Sequence, residues 1–487
     1  MNKDTISPRD AQWRDELRRS STAKERTSIP RVKMGELAPD YRVTCNEEVN
    51  RGLSREEAVM EAKRCLDCPD PQCVTGCPVN VNIPGFIKNI ERENFRDAAV
   101  VLKESSALPA VCGRVCPQER QCESKCIYNK MKREPVAIGY LERFAADNER
   151  LSGEAVLPPC DAPKGMKIAV AGSGPASLSF AGEMARRGYE VHVFEALHEI
   201  GGVLKYGIPE FRLPNEVVDV EIRTLSEMGV KFVTDCVVGK TIGYDYLVEQ
   251  GFAGLFIASG AGLPRFMGIP GENLVGVMSS NEYLTRVNLM GAGREGWSTP
   301  VIRGRRVAVI GGGNTAMDSC RTARRMGAEE VYIVYRRSEA EMPARVEEVR
   351  HAKEEGVEFL TLFNPVEYLG DADGRVRAMR LQRMELGEPD ASGRRSPVPV
   401  EGDIREIEVD EVIVSVGVSP NPLIPSAIAG LDVTRRGTLS VDEETLETTL
   451  PMVFAGGDIV RGGATVILAM GDGRKAAAAM ASRLENR

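Results

Sequence analysis

The sequence has no excess of positive charge, no long apolar run and no low-complexity tract. Its 63 lysines and arginines are outnumbered by 71 aspartates and glutamates, for a net charge of −8. Nucleic-acid-binding surfaces are usually basic, so this balance argues against a nucleic-acid partner and favours small molecules or proteins. No stretch approaches the roughly 18 consecutive apolar residues of a bilayer-spanning helix, so no membrane partner is expected. Met1 to Arg31 is polar and lacks the apolar core of a secretory signal, which leaves the cytoplasm as the expected location.

What is present is length, glycine and cysteine. A chain of 487 residues suggests about three domains. Its 48 glycines exceed ordinary usage, as phosphate-cradling loops would require. Nine of the 12 cysteines fall between Cys45 and Cys126, while Cys160, Cys236 and Cys320 are scattered and read as small buried residues. Clustering at one end of a large chain points to metal ligation rather than to a disulfide framework.

Residues 1–60 are charged and start irregularly. Ser54 and Glu57 form a capping box for a helix that would turn Ala58, Met60, Ala62 and Leu66 to one face. Residues 80–110 and 138–151 also read as helical. Ser152 to Lys164 is a proline-containing linker. The texture then changes. Lys167 to Ala171, Glu190 to Phe194, Val307 to Ile310 and Val331 to Tyr335 are short apolar runs about 20 residues apart, the signature of parallel βαβ units. The unit occurs twice, so the fold class is α/β with two Rossmann-like dinucleotide modules, tandem or nested. Gly387 to Gly402 reads as a surface hairpin or loop within the second module.

Gly172-Ser173-Gly174-Pro175-Ala176-Ser177 follows a strand and opens a helix, so a pyrophosphate can approach the backbone at a positive helix end. Glu195 ends the next strand, where a carboxylate meets an adenosine ribose. Ser177 replaces a third glycine, which would loosen helix–strand packing slightly. Gly201-Gly202, with Leu204 behind them, let a loop pass close to a ligand. Near the C-terminus, Gly457-Asp458 can address a ribityl chain, and the helix opening at Thr465 and Val466 can point N–H groups at a flavin. This module suits FAD; the alternatives are a glycine-rich turn without ligand and Asp458 as a simple helix cap.

Gly311-Gly312-Gly313-Asn314-Thr315-Ala316 repeats the device, but the following strand ends in Tyr335-Arg336-Arg337 instead of an acid. Guanidinium groups bind a 2′-phosphate that a carboxylate would repel, so this module suits NADPH over NADH. The alternative is a solvated arginine pair.

The cysteines run Cys65-x2-Cys68-x4-Cys73-x3-Cys77-Pro78 and Cys112-x3-Cys116-x5-Cys122-x3-Cys126. Thiolates on short loops can converge on a cubane, so eight cysteines would suit two 4Fe–4S clusters. Structural zinc is the alternative. A redox disulfide at Cys65–Cys68 fits less well beside two nucleotide modules.

These three constellations in this order resemble the glutamate synthase small-subunit family. That family includes the large subunit of electron-bifurcating NADH-dependent ferredoxin:NADP oxidoreductase and the N-terminal part of dihydropyrimidine dehydrogenase. The stretch Tyr206-Gly-Ile-Pro-Glu-Phe-Arg-Leu-Pro214 is most similar to the bifurcating branch and to the so-called homotetrameric glutamate synthases. The resemblance implies that Cys65, Cys68, Cys73 and Cys126 hold one 4Fe–4S cluster. Cys77, Cys116 and Cys122 would hold the other with Glu142, leaving Cys112 a bystander. Spacing alone selects Cys112, so the two readings conflict at the eighth ligand. A more distant resemblance to adrenodoxin-reductase-like enzymes implies nesting and adds Glu348 as an NADPH contact. The expected domains are a helical iron–sulfur domain (1–160), an FAD domain in two parts (161–262 and 417–487) and an NADPH domain (263–416) between them.

Hydride transfer needs stacked rings rather than an acid–base side chain, so no acid–base catalytic residue is expected. The implied activity passes electrons between NADPH, FAD and two 4Fe–4S clusters to a protein partner. That partner is a glutamate synthase large subunit or a smaller ferredoxin-reductase-like flavoprotein, and an oligomer is expected. Asn2 is not the cysteine a glutaminase nucleophile would require, and no room exists for an FMN barrel, so the chain alone would not make glutamate.

Overall fold

The computed structural model describes residues 5–153, 156–391 and 393–486. Asn2, part of the 152–164 linker and the tip residue Ser392 lie outside the described residues.

The N-terminal third is helical. The first 50 residues carry short helices, Gln12–Ser20, Ala23–Ser28 and Pro39–Arg42, where the sequence suggests irregular chain. They are held by arginines rather than by an apolar stripe: Arg14 and Arg18 both reach the buried Asp67. The helix Arg55–Lys63 starts at the expected capping box, with Glu57 N–H donating to Ser54 Oγ at 3.2 Å and Ser54 N–H to Glu57 at 2.8 Å. Ala58 and Ala62 are buried, but Met60 is 49% exposed. Glu61 turns inward instead, because Arg64, Val32 N–H and Ala137 N–H all donate to its carboxylate. The helices Ile83–Glu91, Phe95–Lys103, Pro109–Val115 and Ile138–Ser152 complete this part. Gly153, in the left-handed region at φ +71°, ends the last of them.

Two five-stranded parallel sheets follow. The first has the order Val453–Ala455, Phe252–Ile257, Lys167–Ala171, Glu190–Phe194, Lys231–Val233. The second has the order Val277–Ser279, Glu411–Val414, Arg306–Ile310, Glu330–Tyr335, Glu358–Thr361. Helices cover both faces, so the strands are continuous apolar runs instead of alternating ones. The strand Val453–Ala455 returns to the first sheet after the whole second sheet has been formed. The chain passes between them on a two-stranded ribbon, Leu263–Pro264 antiparallel to Val418–Ser419. A three-stranded antiparallel sheet, Phe363–Gly370, Val376–Pro389 and Arg395–Glu408, projects from the second unit and carries the expected surface hairpin.

One hydrophobic core runs from Ala58 and Phe86 of the helical part to Val170, Phe180 and Met480 of the first sheet unit. The helical part is therefore fused to that unit despite the proline-containing connection. The helices Pro175–Arg186 and Val466–Glu485 meet backbone to backbone, since a Cβ on Gly473 would overlap Ala176 O. Ser177 is fully buried in this packing. Gly473→Val is expected to lower stability by about 1–3 kcal/mol through overpacking, read as a lower urea midpoint at unchanged slope.

Candidate functional site

The strand Lys167–Ala171 delivers the chain into Gly172, whose φ is +96°. A Cβ there would lie 2.6 Å from Ala258 O, so the turn excludes any side chain. At Gly174 a Cβ would meet nothing within 4 Å, which leaves the backbone open to a ligand at the N-terminus of the helix Pro175–Arg186. Glu195 is buried at the end of the next strand, where Ser173 donates to its carboxylate from both N–H (2.8 Å) and Oγ (2.6 Å). Gly202 (φ +55°) brings its own backbone to about the Gly174 Cα, 3.0 Å from where its Cβ would stand.

From the other end of the chain, Asp458 accepts Ala464 N–H at 2.9 Å, and burial pushes its carboxyl above the usual range. Thr465 caps the helix Val466–Glu485. These residues, with Pro175, Ala176, Gly457 and Val466, line a single cavity of about 1240 Å³. Two helix N-termini, open glycine backbone and one acid are a donor set that fits a dinucleotide such as FAD. Leu204 is fully buried and does not line the cavity; Val203 and Tyr206 do.

The second glycine turn opens on the same cavity through Gly313, Asn314 and Thr315. Gly311 sits at φ +141°, and a Cβ on Gly312 would lie 2.9 Å from the Tyr335 ring. Asn314 Oδ1 accepts Arg345 N–H at 2.9 Å, fixing its amide. The two arginines at the strand end differ. Arg336 is exposed, with no ion pair among the described residues. Arg337 is buried and committed, donating to Asp390 Oδ2 at 2.5 Å and Arg395 O at 2.8 Å, and so pins the hairpin tip. Glu348 does not reach the cavity. It is buried against Arg321 (2.5 Å) and Arg212 (3.3 Å). Burial would raise its carboxyl, but those guanidinium groups hold it down at about 2.

The cysteines gather in two sets, each drawn from both sequence clusters. Cys65, Cys68, Cys73 and Cys126 face one another: burial pushes the Cys73 thiol up, followed by Cys65, Cys126 and Cys68. Cys77, Cys116, Cys122 and Glu142 form the second set, in which Glu142 bears on all three thiols. Among the described residues no three of these sulfurs lie within 4.8 Å of one another. Tetrahedral zinc at 2.3 Å from each sulfur needs separations of roughly 3.8 Å, tighter than any trio of these sulfurs provides. Glu142 is 8% exposed and, among the buried acids of the described residues, is alone in having neither a hydrogen bond nor an ion pair. Burial and then Glu221 push it up to about 8. Cys112 lies inside the helix Pro109–Val115, with its sulfur 3.5 Å from Met470 Sδ and bonded to the Cys116 thiol, so it too adjoins the inner set. Of the other cysteines, Cys236 and Cys320 are buried as expected, but Cys160 is exposed.

Sequence reasoning missed the residues that join these sites. Val115 and Pro117, on either side of Cys116, line the nucleotide cavity. Arg212 and Asp318 also line it and pair at 2.6 Å across the two sheet units. Burial pushes Asp318 up to about 6. The one available signal was position: Asp318 follows Asn314 by one helical turn, and Arg212 lies within the Tyr206 to Pro214 stretch. Deeper in the junction, Glu355 is fully buried between Arg42, Arg321 and Arg325, at 2.8, 2.8 and 2.7 Å. Arg120 and Arg345 clasp the same junction through Pro343 O and Arg114 O. Glu355→Ala strands these buried guanidinium groups and is expected to cost about 3–5 kcal/mol, measured by chemical denaturation. Arg321 and Arg325 hold the Glu355 carboxyl down near 2 against the opposing effect of burial. Its contribution is therefore present above the ordinary glutamate pKa of about 4.3 and lost as pH falls towards 2.

Residues 42–154 match the family described as dihydropyrimidine dehydrogenase domain II, 4Fe–4S cluster, and residues 166–473 match pyridine nucleotide-disulphide oxidoreductase. The glutamate synthase [NADPH] small chain of Azospirillum brasilense is 38% identical over 88% of this chain and 90% of its own length. The Escherichia coli protein of the same name is 36% identical over 90% and 94%. The NADPH-Fe(3+) oxidoreductase subunit beta of Geobacter sulfurreducens is 36% identical over 87% of this chain and 65% of its own. Mycobacterium tuberculosis FprA, solved in complex with NADPH, shares the fold at TM-score 0.55 and 21% identity, over 66% of this chain and 85% of that one. With both cysteine sets and both glycine turns in place, the chain belongs to the glutamate synthase small-chain family of iron–sulfur flavoprotein oxidoreductases.

Proposed function

We propose that this chain takes two electrons from NADPH and passes them singly through its cysteine-bound clusters to a partner subunit, in the manner of a glutamate synthase small chain. The observation that carries this reading is the cavity itself. Both glycine turns and the residues flanking Cys116 line one continuous space, which supports nicotinamide, flavin and cluster sites that adjoin.

The bound groups supply hydride acceptance, from FAD, and one-electron transfer, from two 4Fe–4S clusters. The protein supplies the rest. Gly172, Gly174, Pro175, Ala176 and Gly202 bring backbone to the FAD pyrophosphate. Glu195 takes its ribose, Gly457 and Asp458 the ribityl chain, and Thr465 and Val466 aim a helix N-terminus at the ring, favouring negative charge there. Leu204 only supports this loop from the core. Gly311, Gly313, Asn314 and Thr315 hold the NADPH pyrophosphate, and Arg336 alone takes the 2′-phosphate. Arg337 and Glu348 act indirectly, one fixing the hairpin and the other the junction. Cys65, Cys68, Cys73 and Cys126 hold the outer cluster, and Cys77, Cys116, Cys122 and Glu142 the inner one. The divisions 1–160, 161–262 with 417–487, and 263–416 follow these three tasks.

A second reading is the NADPH-binding large subunit of an electron-bifurcating ferredoxin:NADP oxidoreductase. It is favoured by the Tyr206 to Pro214 stretch, which lines the cavity through Tyr206, Gly207, Ile208 and Arg212. The identity of the partner separates the two.

In an anaerobic dye-reduction assay the protein is expected to prefer NADPH. Arg336→Glu should lower kcat/KM for NADPH about 10–100-fold, the worth of one charge-assisted bond, with NADH nearly unaffected. Unchanged discrimination would refute the phosphate assignment. Cys112→Ser is expected to retain about eight iron atoms per chain, whereas Glu142→Ala should lose or alter the inner cluster's electron paramagnetic signal. The reverse pattern would make Cys112 the ligand.

A further inference from the structure

The two cysteine sets differ in their access to solvent. Cys116 and Cys122 of the inner set are buried, Cys77 is partly buried, and the neighbours of Cys116 face the nucleotide cavity. All four cysteines of the outer set are only partly buried. If electrons leave the chain, the outer set is where they reach the surface.

The surface there departs from the charge of the chain as a whole. Lys63 lies two residues before Cys65, Lys125 immediately before Cys126, and Lys130 and Lys132 within the next turns. All four are exposed, and none has an ion pair among the described residues. They share one rim. Tyr128 Oη donates to Arg64 O at 2.6 Å, and Arg64 donates to Glu134 O at 2.7 Å, drawing the Lys130–Lys132 turn against the end of the Lys63 helix. On the other side, the Lys125 side chain lies over Gly76, where a Cβ would stand 3.0 Å from its Cγ.

The acids of this region are already taken. Asp67 is held by Arg14 and Arg18, Glu123 by Arg31, Glu61 by Arg64, and Glu91 by Arg26 and Lys88. Asp70 and Glu134 are exposed acids close to these lysines in the sequence, and exposed Asp10 follows Arg9, which donates to Asp67 O. Arg133 adds a fifth exposed cation, donating only to Thr27 O. A chain with net charge −8 thus concentrates exposed cations in the segments that carry its outer cysteines. Met131, 44% exposed, adds an apolar side chain between Lys130 and Lys132 in the sequence.

We infer that Lys63, Lys125, Lys130, Lys132 and Arg133 form a docking face for an electron-transfer protein whose own acceptor is ringed by carboxylates. This rests on the proposed function and specifies its partner. Exposed charges of opposite sign steer encounter and set orientation, and they do so in a salt-dependent way. Each encounter would move one electron outward from the centre held by Cys65, Cys68, Cys73 and Cys126 to a one-electron acceptor in the partner. Two encounters match the two electrons of one NADPH, which leaves as NADP⁺ with one proton released to solvent.

The test uses the holoprotein and two probes, a strongly acidic plant-type 2Fe–2S ferredoxin and a basic c-type cytochrome. Binding is measured by biolayer interferometry at about 20 and 300 mM NaCl, where screening lengths differ several-fold. The expected result is that the ferredoxin binds more tightly than the cytochrome and weakens at least about tenfold at the higher salt. The combined Lys125→Glu, Lys130→Glu and Lys132→Glu variant should lose a further factor of about ten, while the control Lys240→Glu, on the first sheet unit, changes nothing. Equal binding of both probes, displacement of the ferredoxin by a single-stranded oligonucleotide at matched charge, or an unchanged affinity in the triple variant would overturn the proposal. Dye reduction by NADPH does not involve this face, so failure there would count against the proposed function and leave the binding result to decide the docking face.

Discussion

The buried carboxylate of Glu355 is the contact on which the rest of the molecule depends. It is the meeting point of Arg42 from the helical part and Arg321 and Arg325 from the second sheet unit. Arg321 also binds Glu348, which shares Arg212 with Asp318, so the network continues into the first sheet unit and to the wall of the cavity. Burying charge is costly, and a buried ion pair is a poor source of stability compared with apolar packing. What such a network supplies is a penalty for every other docking: separating the units would strand several guanidinium groups without partners. Electron transfer between bound groups requires fixed spacing, and this network holds the spacing where two nucleotide folds joined by a slim ribbon would otherwise be free to turn.

The second constraint is steric. Glycines at Gly172, Gly311 and Gly473 let strand, turn and helix approach to distances that no side chain allows. The helix Val466–Glu485 therefore lies directly on the helix Pro175–Arg186. The same helix places Met470 against Cys112, so the layer that shapes the flavin end of the cavity also touches the cysteine-bearing helix. Cluster region and nucleotide region share one apolar core as a consequence, rather than meeting at a polar domain boundary.

Much of this was legible in the sequence wherever the cause is local. The glycine turns, the acid at Glu195 and the capping box at Ser54 depend on residues a few positions apart, and the structure has each of those turns and that cap. What was not legible depends on distant partners. Met60 and Glu61 exchange places because Arg64, Val32 and Ala137 reward the acid for turning inward. The first 50 residues carry no apolar period because arginine contacts to Asp67 and backbone carbonyls do the holding. Arg336 and Arg337 are indistinguishable by type; Asp390, 53 residues away, and Arg395 O, on the same hairpin, separate them. Cysteine spacing cannot point to Glu142; its burial without a hydrogen bond or ion pair among the described residues is a feature only the three-dimensional arrangement shows.

The central claim is one uninterrupted path from the nicotinamide site, across the cavity wall at Cys116, to the outer cysteines. Its most direct test is an anaerobic titration of the holoprotein with NADPH, followed by visible absorption and electron paramagnetic resonance on the same samples. The account predicts loss of flavin absorbance together with the appearance of reduced iron–sulfur signals without any added mediator. Flavin bleaching with iron centres that stay oxidised, when dithionite reduces them readily to levels NADPH could reach, would contradict it.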